Sequence, residues 1–177
     1  MAELKDVINF IILYSEESQD PLTNMRLNKF LYFAQGHSFK VLGRPLFNDD
    51  FKAWEYGPVI PEVYHQYRDY GKGPIDSIED YNPDALSSDE VNFLLDVLYE
   101  YDKYSTGKLV TLSHINGGPW DEVRIEKQSI LIPKESIKKH FENEELKSTF
   151  DELLQRIPEE GRHDKDGHII LQKGFDD

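Results

Sequence analysis

The chain of 177 residues contains no cysteine. That absence excludes disulfides, thiolate nucleophiles and cysteine-bearing zinc sites together, and it suits a reducing compartment. Long apolar runs are missing too. The longest extend over only a few residues, such as Phe10 to Tyr14, so nothing approaches the roughly 20 residues that a membrane-spanning helix needs. The first ten residues, MAELKDVINF, do not have the basic-then-apolar layout of a secretory signal. A cytoplasmic location without membrane contact is the expectation. Basic residues are scarce: 20 Lys and Arg stand against 34 Asp and Glu, for a net charge of −14. A field of that sign repels phosphate backbones and attracts cationic partners.

The usual catalytic and cofactor signatures are also missing. Neither glycine cluster, Gly71-Lys72-Gly73-Pro74 nor Gly117-Gly118-Pro119, fits a phosphate-binding loop, and both read as turns. None of the six histidines stands in an H-E-x-x-H arrangement. His163, Asp164, Asp166 and His168 cluster near the C-terminus without a matching ligand set, so no metal site is expected. Ser113 beside His114 is an adjacency in sequence, whereas a catalytic triad is defined by geometry in space. No catalytic residue and no cofactor are singled out. Helices over 88–114 could form a helix-turn-helix unit, but Lys103 and Lys108 are the only cations there to meet phosphates. Direct nucleic-acid binding is not expected.

What the chain does have is aromatic mass and localised acid. Apolar content is only 38%, yet Phe 10, Tyr 10 and Trp 2 supply large buried areas per position. The stretch from Arg26 to Ile75 combines these rings with glycine and proline, which punctuate the backbone at fixed places. Immediately after it, residues 76 to 102 hold nine acids and no Lys or Arg, so that segment carries −9 of the −14 and leaves −5 for the other 150 residues. It reads either as a solvated loop and helix face or as a docking surface for a basic protein. On the second reading Asp76, Glu79, Asp80 and Asp84 are the expected contacts.

Periodicity predicts a mainly α, single-domain protein of about seven helices with at most a short β-hairpin. Leu4, Val7, Ile8, Ile11 and Ile12 mark a first amphipathic helix. Thr23 is positioned to cap a second, apolar nearly all round and therefore central, ending at Gly43. Residues 44–55 suggest a brief strand or hairpin, with a turn at Gly57-Pro58. Pro61 suits the first turn of a helix that Gly71 stops. Ser87 with Glu90 forms a capping box ahead of a clean stripe from Val91 to Tyr101. Shorter helices are expected over 106–114, 120–124, 133–141 and 145–157, the last closed by Pro158. The domain is expected to span 1–158, followed by a polar extension over 159–177 in which Ile169–Leu171 is the one sticky segment.

Several phrases together resemble the Panacea antitoxin domain, the SocA-like family. They are Leu27-Asn28-Lys29-Phe30-Leu31-Tyr32-Phe33-Ala34-Gln35-Gly36, Gly43-Arg44-Pro45-Leu46-Phe47, and Phe51 through Pro61 with Trp54, Tyr56, Gly57 and Pro58 at its centre. Tyr64 through Gly71, Leu112-Ser113-His114 and Gly118-Pro119-Trp120 complete the series, which covers roughly residues 5 to 145. The resemblance implies a compact, mostly helical antitoxin that neutralises a cognate protein toxin by direct contact, without enzymatic activity. An alternative from the SocA branch is an adaptor that hands its toxin to a cytoplasmic protease. An enzyme without a recognisable motif is the third reading. On physical grounds Lys29, Trp54, Tyr56, Gly57, Pro58, His114, Pro119 and Trp120 are expected to be scaffold. The rings would fill volume against the central helix, and Lys29 and Gln35 would bridge buried backbone. Partner specificity would then reside in the variable acidic segment and the tail.

Overall fold

In the computed structural model, residues 1–16, 20–78, 80–124 and 130–147 are described. They form one compact unit, Met1–Leu146; the second unit, Lys147–Asp177, is outside the described residues but for Lys147. So are the expected helix over 145–157 from residue 148 onward, the boundary at Pro158, the Ile169–Leu171 segment and Glu79.

Seven α-helices and a small antiparallel sheet make up the described unit, a mainly α fold as expected. The helices are α1 (Leu4–Ser15), α2 (Asn24–Val41), α3 (Pro61–Tyr67), α4 (Ser88–Asp102), α5 (Thr106–Ser113), α6 (Pro119–Val123) and α7 (Lys134–Phe141). The strands are β1 (Lys52–Trp54), β2 (Gly57–Val59) and β3 (Ile130–Leu131). A 3₁₀ turn at Arg68–Tyr70 extends α3, and Gly71 ends it at φ 58°. The capping signals operate as the side chains dictate. Thr23 accepts from the Arg26 N–H, and Ser87 and Glu90 form a reciprocal capping box. Pro61 occupies the first turn of α3, where its missing N–H costs nothing.

Helix α2 is the axle of the fold. It packs against α1, α3, α4, α5, α7 and β2, and every residue from Arg26 to Ser38 is buried. Its rings explain why it sits at the centre. Tyr32 meets Phe33, Phe51 and Phe141 edge to face, and Phe33 stacks on Tyr101 at 4.1 Å. Gly36 lets α7 come close, because any Cβ there would run into the Phe141 ring.

An axle buried all round must satisfy its polar groups internally. Gln35 donates to the Phe47 carbonyl at 3.0 Å and accepts from the Leu46 and Phe47 N–H groups, so one amide pins the chain leaving α2. Arg26 is 1% exposed and reaches the Tyr104 carbonyl and the carbonyl and carboxylate of Asp102, tying the start of α2 to the end of α4. Burial pushes the His37 imidazole down to about 4, helped by the charges of Lys40 and His140; the neutral ring hydrogen-bonds the Tyr101 hydroxyl at 2.8 Å.

The sheet has the order β2–β1–β3, with Ala53 opposite Pro58 and Ile130, and Trp54 opposite Gly57. Its hairpin differs from expectation in one detail. The tight turn is at Glu55–Tyr56, and Gly57 and Pro58 belong to β2. Pro58 is tolerated because β2 is an edge strand, where a missing N–H breaks no ladder. The third strand, β3, follows from non-local pairing that periodicity over two residues does not reveal.

Candidate functional site

The residues from separate phrases of the sequence converge where β2 lies against α2. Lys29, 2% exposed, donates from Nζ to the Pro58 carbonyl at 2.9 Å. Gly57 sits directly over that amine at φ 104°, and a Cβ there would stand 2.6 Å from Lys29 Nζ and 2.7 Å from Ser113 Oγ. Only glycine fits, for both the backbone angle and the space. The Ser113 hydroxyl is turned to the Val110 carbonyl. Asn28 fixes the other end of β2: its Oδ1 accepts the Ile60 N–H at 2.9 Å while its amide donates to Asn24. The Trp120 indole donates to the Trp54 carbonyl at 2.8 Å and packs on His114 at 3.8 Å between ring centres. Pro119 opens α6 beneath it.

Above this junction lies a cleft of about 380 Å³ lined by Met25, Asn28, Lys29, Trp54, Glu55, Tyr56, Gly57, Val59 and Tyr64. Its walls are mainly apolar and aromatic, the ordinary make-up of a binding site. Trp54 and Tyr64 meet edge to face at 5.0 Å, and both touch the His65 ring. The mouth is exposed: Tyr56 is 59% accessible, Tyr64 41% and Met25 39%.

Electrostatically the cleft is unusual for so acidic a chain. No carboxylate comes within ion-pairing distance of Lys29 among the described residues, and Pro58 is its one hydrogen-bond partner. Burial alone pushes the Lys29 amine down to about 7. His114 is also held below its ordinary value, first by burial and then by the charges of Lys29 and Arg124. Its Nε2 is buried with no partner in the described structure.

The sequence-singled residues thus divide. Lys29, Trp54, Gly57, Pro58, His114, Pro119 and Trp120 are brought together. Tyr56 joins them only at the rim, and its ring fills no interior volume. Asp76, Asp80 and Asp84 are exposed, and none of them lines the cleft; Glu79 is outside the described residues. The view of the motif as wholly interior framework therefore needs revision, because Trp54, Tyr56 and Lys29 line an open cleft. Met25, Asn28, Glu55, Val59, Tyr64 and Ser113 were not picked out as site residues from sequence. One signal was available: Met25, Asn28 and Lys29 are three and four residues apart and so share a helix face. A lysine inside an otherwise apolar phrase was another. Among the described residues no group of three or more His, Asp or Glu side chains is placed to hold a metal ion, and no helix is long and apolar enough to cross a membrane.

Comparisons with known proteins fall on these same residues. The family described as antitoxin SocA-like, Panacea domain, matches residues 27–121, a span running from the first turn of α2 to Trp120 and its neighbour. Antitoxin SocA of Caulobacter vibrioides (strain NA1000 / CB15N) is 30% identical over 131 residues, covering 68% of this chain and 70% of that protein. No solved structure matches the chain. The matched span contains the whole Lys29–Gly57–Pro58 junction, the aromatic hairpin and the Trp120 clasp, and on that ground the chain belongs to the SocA-like Panacea-domain family of antitoxins.

Proposed function

We propose that this protein neutralises a cognate toxin protein by binding it directly, in the cytoplasm and without catalysing a reaction. The observation that carries the reading is the family match, which covers the central helix, the hairpin and the α5–α6 corner in one span. Two surface features support a protein partner. Asp76, Asp80 and Asp84 all stand in solvent, on a chain whose net charge is −14. They would steer a basic partner and speed its association. Met25, Tyr56 and Tyr64 expose apolar and aromatic surface at one cleft, a composition enriched at protein interfaces. The mechanism is occlusion: the partner's working surface is covered while the complex lasts.

Co-expression with the neighbouring open reading frame tests the reading. That neighbour alone is expected to arrest growth, and this chain is expected to restore it. A harmless neighbour, or arrest that persists with both proteins present, would overturn it.

An enzymatic reading has one observation on its side, the buried amine near neutrality in a cleft. A lone lysine is half of an acid–base arrangement. Neither a carboxylate nor an imidazole hydrogen-bonds it among the described residues, and binding remains the better account.

A further inference from the structure

The cleft contains a buried amine with no counter-ion among the described residues. Lys29 lines it, is buried, and spends one of its three N–H donors on the Pro58 carbonyl. The other two have no acceptor among the described residues. Buried ammonium groups are ordinarily paired or coordinated, and among the described residues this one has no counter-ion. The groups beside the amine are the Pro58 carbonyl from β2, Ser113 at the end of α5 and His114 just after it, while Glu55 and Tyr56 of the hairpin turn line the same cleft. Glu55 is exposed and makes no ion pair with Lys29. Solvent screens its charge at the mouth, while Lys29 acts in a low dielectric where attraction is several times stronger. The interior of the cleft therefore favours an anion.

The chain as a whole does not. A net charge of −14 repels small free anions from solution. An acid carried in by a protein whose basic surface is drawn to the same field escapes that barrier. The exposed rings beside Lys29 call for an apolar neighbour on the incoming chain.

We infer that the Lys29 cleft is the anchoring socket of the toxin interface: it receives an acidic side chain of the partner on Lys29 Nζ, with an adjoining apolar or aromatic residue against Trp54, Tyr56 and Tyr64. The inference rests on the antitoxin reading and gives it a location. Anchors of this kind, an aromatic-walled pocket with one desolvated charge pair, dominate the lifetime of complexes, whereas exposed charges such as Asp76, Asp80 and Asp84 act on encounter. Pairing draws a proton onto the amine. Affinity should therefore be highest at and below pH 7 and fall by up to tenfold per unit above it, until the pH reaches the bound-state value.

The test is association and dissociation kinetics with the purified toxin. Lys29→Met should raise the dissociation rate roughly tenfold or more, leave the association rate within about twofold, and abolish the pH dependence above neutrality. Tyr56→Ala removes an exposed ring without touching the core, so it reads the socket even if Lys29→Met misfolds; a rise of about fivefold in dissociation rate is expected. A merely structural lysine would lower the yield of folded protein and leave the pH profile of the folded fraction unchanged, which would overturn the inference. So would unchanged dissociation from both variants. Failure of the wild type to bind the toxin removes the antitoxin reading and the socket together, while a wild-type complex indifferent to both substitutions removes the socket alone.

Discussion

On α2, the polar side chains of Asn28, Lys29 and Gln35 turn inward and hold backbone. Gln35 fixes Leu46 and Phe47, Asn28 fixes Ile60, and Lys29 fixes Pro58. From Asp76 to Asp84 the described acids stand in water. Farther along, in α4, several acids are drawn into the structure. Glu90 is buried; burial alone would raise its carboxyl, but hydrogen bonds from Ser87 and Arg44 hold it below the usual range. Asp102 receives Arg26, and Glu100 pairs with Lys103 across one turn. Two regions therefore do different work. In the first, the buried polar side chains have specific partners, and removing one leaves a buried group unsatisfied. In the second, charge is available to whatever approaches.

This contrast predicts effects of very different size. The largest concerns Lys29 and pH. Its amine is held near 7 in the folded chain against 10.5 ordinarily, so the unfolded chain binds more protons between those values and stability should rise with pH there. The gain is roughly 3–4 kcal/mol between about pH 7 and pH 10 from this group. Denaturant unfolding of wild type and Lys29→Met across that window checks it, because the substitution should remove the slope; equal slopes would mean that the amine is not buried.

Next is Gly57→Ala. It forces a Cβ onto Lys29 Nζ and Ser113 Oγ at a backbone angle that alanine resists, and about 2–3 kcal/mol of stability should be lost. A thermal shift under about 2 °C would show that the hairpin relaxes freely. Third is His37, lowered to about 4 by burial and by the charges of Lys40 and His140. The unfolded chain takes up the proton first as pH falls below 6.5. Roughly 2 kcal/mol should thus disappear between about pH 6.5 and pH 5, and His37→Gln should flatten that limb in acid unfolding curves.

The smallest effect on stability comes from the second region. Reversing Asp76, Asp80 and Asp84 to lysine should change unfolding free energy by no more than about 0.5 kcal/mol. Toxin association should nevertheless slow by about tenfold at low salt, with a flatter salt dependence. Unchanged association would take these acids out of the interface.

The helices were legible because their signals are local. Leu4 to Ile12 repeat at the helical period, Thr23 and Ser87 cap, Pro61 starts a helix and Gly71 stops one. Gln35 and Lys29 could be foreseen as bridges to buried backbone, since polar atoms inside an apolar helix must find partners. The carbonyls they would choose could not, because Pro58 and Phe47 reach α2 through loop closure. Tyr56 misled for the same reason. An aromatic ring in a tight phrase reads as interior, and only the turn at Glu55–Tyr56 puts it outside.

By itself, then, the sequence determined the central helix, its neighbours' boundaries, the acidic surplus and the family. Periodicity, caps and charge are written residue by residue, and the Lys29 and Trp54 phrases carry the likeness. The tertiary structure alone decided that Lys29, Gly57, Ser113 and Trp120 meet, that no carboxylate among the described residues pairs with the amine, and that the rings around it open to solvent. Those facts depend on which distant segments share a low-dielectric space, and a burial energy has no value until the surroundings that cause it are assembled.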